Sequence, residues 1–286
     1  MFVRADLLLK DSVPENAGRQ VVHFGWEDFD PVLLVYDRRT DRTERLELDR
    51  LDWSLSEAKW CVGSFGEEGY HPCDHMRKVT KFDQCSECAS SWIQVQSCIY
   101  EPQCDGSRCE SKICMREHTV YMAFFGSKAK IGMTTSRRLR ERGIEQGADA
   151  IVPLVRKANR LEGRRAENDI SKALRLPQIM QKRKVLEEQG RKATGRSLDD
   201  VYSSYLATLS SRMEVLDAKL EVLDQYPLKD LGGRVPQLVD PAGKHRGRVL
   251  GCKGKFLFYE DHLSKLNALE LADLPGRHLG GPAKRY

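Results

Sequence analysis

Residues 119–134, Thr-Val-Tyr-Met-Ala-Phe-Phe-Gly-Ser-Lys-Ala-Lys-Ile-Gly-Met-Thr, decide how this chain is read. Two runs rich in β-formers, Thr119 to Phe125 and Ala129 to Thr134, flank Gly126-Ser127 and read as a hairpin. A helix follows Ser136 and stops near Gly147, and Ala150 to Val155 reads as a third short strand. Asn159 with Glu162 three residues on is a capped helix start, leading into Ala166, Ile170, Ala173 and Leu174 at helical spacing. Residues 119–178 therefore form a β-β-α-β-α unit.

Outward from that unit the pattern changes. Residues 1–58 read as short strands and turns, with alternation in Val32 to Tyr36 and Leu46 to Leu51. Their acids, including Glu27, Asp28, Asp30, Asp49 and Asp52, read as a solvated surface. In residues 231–286, Arg248 to Leu250 and Lys255 to Tyr259 read as strands and Leu266 to Leu271 is largely apolar, so this segment is expected to join residues 1–58 in one β-rich unit. Residues 179–230 read as a basic connector holding Gly190 and Gly195, after which Ser197 with Asp200 opens a long helix to about Gln225. Leu209, Met213, Leu216, Leu220 and Leu223 recur at alternating four and three, the seam of a helix pair. Packing on the protein's own body accounts for that seam, with dimerisation as the alternative.

Eight of the nine cysteines fall between Cys61 and Cys114, and Cys252 lies apart. The longest apolar stretch near the start, Leu7 to Leu9, is too short for a signal peptide or a spanning helix, so the chain is expected in the cytoplasm, away from membranes. Thiols stay reduced there, and clustered thiols hold metal. Residues 59–118 carry many turn formers and few apolar runs, so metal must supply stability that a side-chain core cannot. Cys85-Ser86-Glu87-Cys88 is a close pair; Cys61 and Cys73 precede it, and Cys98, Cys104, Cys109 and Cys114 follow. Eight thiols divide into two sets of four, giving two structural zinc ions in a zinc-ribbon-like segment. The competing account has some thiols merely buried and His71, His75 or His118 completing one site.

The net charge of +5 conceals an asymmetry, because residues 130–196 hold 18 Lys and Arg against 8 Asp and Glu, a local net of +10. Such a stretch fits either a phosphate-rich partner or well-solvated helices.

The order Thr119-Val120-Tyr121, Lys130-Ile131-Gly132-Met133-Thr134, Leu139-Arg140-Glu141-Arg142 and Glu162-Gly163-Arg164-Arg165-Ala166-Glu167-Asn168 resembles the GIY-YIG superfamily across residues 119–178. The whole chain, with Cys98 to Cys104 and Ile144 to Ala148, resembles an uncharacterised prokaryotic family that joins cysteine motifs to this domain. In the nucleases a tyrosine helps activate the attacking water, an arginine stabilises the phosphate and a glutamate binds Mg2+ or Mn2+. The resemblance gives these roles to Tyr121, Arg142 and Glu167, and places Lys130 where the second motif usually has tyrosine. No asparagine follows the last helix; Leu176-Pro177-Gln178 stands there, and Gln178 is its substitute. Ordinary packing also explains each residue: Tyr121 on the sheet face opposite Val120 and Met122, Arg142 in solvent, and Glu167 balancing Arg164 or Arg165.

The expected molecule is thus an α+β protein with a zinc-ribbon-like cysteine segment, a small GIY-YIG-like domain, a long helix and a β-rich unit built from both ends. Its expected partner is DNA or structured RNA, tRNA and the ribosome included, met by Arg137, Arg138, Arg140 and Arg142 on one helix with Arg164 and Arg165 on the next. The alternatives are an active Mg2+- or Mn2+-dependent endonuclease, and a protein-interaction module that uses the zinc segment and the long helix.

Overall fold

Alternation of apolar and polar residues builds the first strands of this computed structural model, which describes residues 18–89, 98, 100–190 and 198–280. Strand β1 (Arg19–Glu27) turns at Asp28, which takes a left-handed φ of 54°, into β2 (Asp30–Asp37), and β3 (Arg42–Arg45) adds to β2. Strand β4 (Arg50–Trp60) buries Leu51, Trp53 and Leu55 and exposes Asp52 and Ser54, as a half-buried strand should. The expected strand from Leu46 to Leu51 is interrupted at residues 46–49. Leu46 N–H still donates to the Leu33 carbonyl at 2.8 Å, and the side chains of Leu46 and Leu48 pack on the core.

The expected boundary between residues 58 and 59 is also corrected, because β4 runs through it to Trp60. Cys61 follows at once, so the cysteine segment hangs directly from a core strand. Within it, β5 (Ser64–Gly66) and β6 (Gly69–His71) form a two-stranded ribbon, and β7 (Lys78–Val79) pairs back onto β4.

The central unit follows the expected element order: β8 (His118–Phe125), β9 (Lys128–Thr135), α1 (Leu139–Gln146), β10 (Ala150–Lys157) and α2 (Arg160–Leu174). Gly147 ends α1 at φ 74°, a left-handed cap that glycine adopts without a Cβ penalty. The Asn159 side chain caps α2 by accepting the Glu162 backbone N–H at 2.9 Å.

Two corrections fall on residues 179–230. A helix, α3 (Lys182–Gly190), occupies part of the basic connector. Val185 and Leu186 are buried in the core, and Glu188 accepts the Ser127 backbone N–H at 2.9 Å, which fastens α3 to the β8–β9 turn. Helix α4 (Leu198–Ser210) then ends far short of Gln225. The chain continues as a strap along β10: Leu216 N–H donates to the Leu154 carbonyl at 2.8 Å, β11 (Glu221–Val222) pairs with β10, and Leu223 N–H donates to the Asp149 carbonyl at 2.8 Å. The unpaired edge of β10 offers the backbone partners that outweigh further helix. Leu209, Met213 and Leu220 pack on one face of the central sheet and Leu223 on the other, so the apolar seam that suggested dimerisation is spent inside the chain. Leu7 to Leu9, Gly195 and Ser197 lie outside the described residues.

The remaining strands are β12 (Gln237–Leu238), β13 (Gly243–Lys253), β14 (Phe256–Glu260), β15 (Leu266–Glu270) and β16 (Arg277–Gly280). A ten-stranded sheet runs β12-β15-β14-β13-β4-β16-β1-β2-β3 with β7 on β4, so both ends of the chain alternate in one layer. The central sheet runs β11-β10-β8-β9. Tyr121, Ala123 and Phe125 on one of its faces meet Leu250, Phe256 and Phe258 of the large sheet, with Ile144 of α1 between. Val120, Met122 and Phe124 on the other face meet Ile170 of α2 and Tyr202 and Leu209 of α4. Each fully buried aromatic or aliphatic side chain here contributes on the order of 1.5–3 kcal/mol. Among the described residues no helix is long and apolar enough to cross a membrane.

Candidate metal centre and basic cluster

The end of β4, the ribbon turn and the Cys85–Cys88 knuckle converge on one point. The ligand atoms of Cys61, Cys73, Cys85 and Cys88 all lie within 4.8 Å of one another, a group that could hold a metal ion. All four are free thiols, and the first three are buried. Cys61 Sγ accepts backbone N–H groups from Gly63 at 3.4 Å and Cys85 at 3.2 Å, which favour a thiolate over a thiol. Gly63 makes the fit possible: its φ is 76°, and a Cβ there would strike the His71 carbonyl. Burial pushes the Cys61 and Cys88 thiols up, whereas at Cys73 hydrogen bonds from Cys61 and the Arg77 backbone outweigh burial and draw it down. Four crowded thiols are poor company while protonated; a dication replaces their protons and binds all four. No imidazole enters this group. His71 and His75 are exposed, and His118 is buried with Nδ1 on the Arg116 carbonyl at 2.8 Å.

Cys98 and Cys114 are buried and Cys104 and Cys109 half-buried, but among the described residues these four are not drawn into a comparable group.

The second constellation surrounds Tyr121. Strand β8 supplies Tyr121, β9 Lys130, α1 Arg142 and α2 Glu167, and each lies within electrostatic reach of others in the set. Gln146 Nε2 donates to Tyr121 Oη at 2.8 Å. Burial raises the Tyr121 hydroxyl pKa above its usual value, which works against a role as base. Lys130 Nζ sits 5.9 Å from the Tyr121 ring centroid and donates to the Gln178 carbonyl at 3.1 Å. Burial first, then repulsion from Arg142 and Lys255, pushes Lys130 down to about 8.

Glu167 has a partner already: Arg164 Nη1 donates to it at 2.7 Å and also to Gln178 Oε1 at 2.9 Å. Gln178 Nε2 donates to Asn168 Oδ1 at 2.8 Å, so Gln178 belongs to the same hydrogen-bond network. Tyr121 is 1% exposed and Glu167 6%. Neither is open to a substrate in this arrangement.

The arginines do not form one free row. Arg137 and Arg138 lie in a single 3-10 turn, Ser136–Arg138, ahead of α1. Arg138 pairs with Glu141 at 3.1 Å, Arg142 with Glu145 at 3.0 Å, and Arg140 with Asp28 and, at 2.9 Å, Glu221. Arg164 also pairs with Glu101 at 2.9 Å. Arg137 and Arg165 are exposed and make no ion pair among the described residues.

Sequence reasoning missed Gln146, Glu101 and Lys255. Gln146 stands four residues after Arg142 on α1, a spacing that puts both on one face and was a usable signal. Glu101 and Lys255 arrive from distant segments and leave no local trace.

Fold and sites define an α+β protein with a four-thiol group that could hold a metal ion, and a basic cluster over a buried tyrosine. The chain belongs to the family described as Protein of unknown function (DUF2797), whose profile matches residues 49–272 and so takes in both sites. No curated protein and no solved structure matches it.

Proposed function

We propose that this protein is a zinc-stabilised nucleic-acid binder that grips the phosphate backbone with the basic cluster over Tyr121. One observation carries the reading: Lys130 is repelled by both Arg142 and Lys255, and Glu167, the carboxylate acting on it, is held by Arg164. An anion placed among them relieves that repulsion. A polyanion is the partner that residues 130–196, at a net of +10, attract. Zinc is the metal that an all-thiolate tetrad of this kind selects, as a closed structural site. The β-β-α-β-α order of residues 118–174 supports the GIY-YIG-like reading of the central unit.

A second reading, a Mg2+- or Mn2+-dependent endonuclease, has one observation in its favour: Tyr121, Lys130, Arg142 and Glu167 meet from four separate elements. Cleavage would require Glu167 to leave Arg164 for a cation. The raised Tyr121 pKa and the near-complete burial of both residues favour docking instead.

The test incubates purified protein with labelled duplex DNA, single strands and total RNA, at low and high salt, with and without Mn2+, beside Glu167→Ala. Salt-sensitive binding without products supports the docking reading. Mn2+-dependent products absent in Glu167→Ala establish the nuclease, and no binding to any nucleic acid refutes both.

A further inference from the structure

We infer that Cys98, Cys104, Cys109 and Cys114 hold a second structural zinc ion, and that this ion sets the charge of the Arg164 edge of the basic cluster. The second half of the statement rests on the nucleic-acid reading above; the first does not.

Residues 100–117 contain no helix or strand. Among the described residues, none of them joins a hydrophobic cluster. Nevertheless Cys98 is only 5% exposed and Cys114 3%. Thiols buried beside a stretch that joins no apolar cluster among the described residues need another reason to be inside, and a charged group meets them. The buried guanidinium of Arg160 donates through Nη1 to the Cys98 carbonyl at 2.6 Å and to Cys114 Sγ at 3.8 Å. A neutral thiol is a weak acceptor and a poor use for a buried cation. A thiolate is a good one. Four thiolates around a dication leave a net charge of two minus, and a buried arginine against one sulfur offsets part of it.

The turns of the loop bring its cysteines towards one another. Gly106 accepts the Cys109 N–H at 3.3 Å and the Ser111 N–H at 3.2 Å, and Ser111 accepts the Cys114 N–H at 3.0 Å. Gly106 has φ 106°, and a Cβ there would lie 3.0 Å from Cys114 Cβ, so the close approach of the Cys104–Cys109 turn to Cys114 requires glycine. The four sulfurs are less tightly drawn together than the first set, and zinc binding closes the loop over α2.

Closure matters because of what the loop carries. Glu101, between Cys98 and Cys104, pairs with Arg164 Nε at 2.9 Å, while Arg164 Nη1 holds Glu167 and Gln178. The Cys114 carbonyl accepts the Arg160 backbone N–H at 2.8 Å, which ties the loop to the first residue of α2. A loaded loop therefore keeps Glu101 on Arg164 and withholds that guanidinium from phosphate. A loop without metal releases it.

The test measures metal per chain by elemental analysis on the native protein, on Cys85→Ser and on the double variant Cys104→Ser, Cys109→Ser. Two zinc ions per native chain, falling to one in the double variant, are expected. A native value of one zinc per chain overturns the site whether or not any variant folds, and iron in place of zinc overturns the assignment. Binding to labelled nucleic acid is then compared among native protein, the double variant and Glu101→Gln. Both changes are expected to tighten Kd roughly threefold, the scale of one exposed ion pair. A zinc count that falls while affinity in both variants stays native overturns the coupling alone. Absence of nucleic-acid binding in every protein overturns the coupling together with the proposed function and leaves the zinc result standing.

Discussion

The ring of Tyr121 lies over the bare backbone of Gly132, its partner across the β8–β9 ladder; a Cβ at 132 would sit 2.5 Å from Tyr121 Cζ and Oη. Glycine in the Lys-Ile-Gly motif is therefore the seat of the tyrosine. Gly132→Ala forces the ring aside in a packed interior and is expected to lower stability by about 1–3 kcal/mol. Urea unfolding followed by circular dichroism checks this, and a native midpoint in Gly132→Ala would refute the seating.

At the metal centre Gly63 has an equivalent role, with φ 76° and no room for a Cβ against the His71 carbonyl. Gly63→Ala is expected to lose the ion bound by Cys61, Cys73, Cys85 and Cys88. Elemental analysis of the purified variant reads the outcome directly; full retention of metal would mean that the ribbon turn does not shape the site.

Residues 61–89 have a short ribbon and little apolar core of their own, so an ion held by the four thiols would supply much of their stability. Removal of metal by a strong chelator is expected to lower Tm, and proteolysis within residues 61–89 is expected to speed up while the central sheet stays protected. Unchanged Tm and cleavage would show that the thiols hold no stabilising metal.

Lys130 gives the pH dependence a sign. Its pKa in the free protein is pushed down to about 8, and a phosphate bound beside it favours the charged form and raises that value again. The bound state then holds the proton more tightly than the free state. Affinity is accordingly full below pH 8 and falls as pH rises above it, by at most about tenfold per unit for one proton. Titration of Kd from pH 6.5 to 9.5 checks the slope, and Lys130→Met should flatten it. A native profile that is flat across this range would remove Lys130 from the interface.

The central unit was legible because its signals are local. The Gly126-Ser127 turn, the Asn159 cap and the stop at Gly147 each act within a few residues of the element they bound. The strap of residues 211–223 was not, since Leu209, Met213, Leu216, Leu220 and Leu223 satisfy a helical period and an extended run along β10 equally well. Only the open edge of β10, a tertiary fact, decides between them. The cysteine tetrad was legible from the Cys85–Cys88 spacing, whereas the choice of Cys61 and Cys73 as partners depends on β4 delivering Cys61 beside the ribbon. Pairing of Arg140 with Asp28 and Glu221, and of Arg164 with Glu101, joins distant segments, so part of a basic run that looked free in the sequence is paired in the fold.

The salt dependence of nucleic-acid affinity, measured for the native protein and for the double variant Lys130→Met, Arg142→Met, tests the central claim most directly. Native log Kd should rise steeply with log salt, and the double variant should bind more weakly with a slope shallower by about two, one for each lost phosphate contact. A variant that keeps native affinity and slope would contradict the assignment of the phosphate backbone to the cluster over Tyr121.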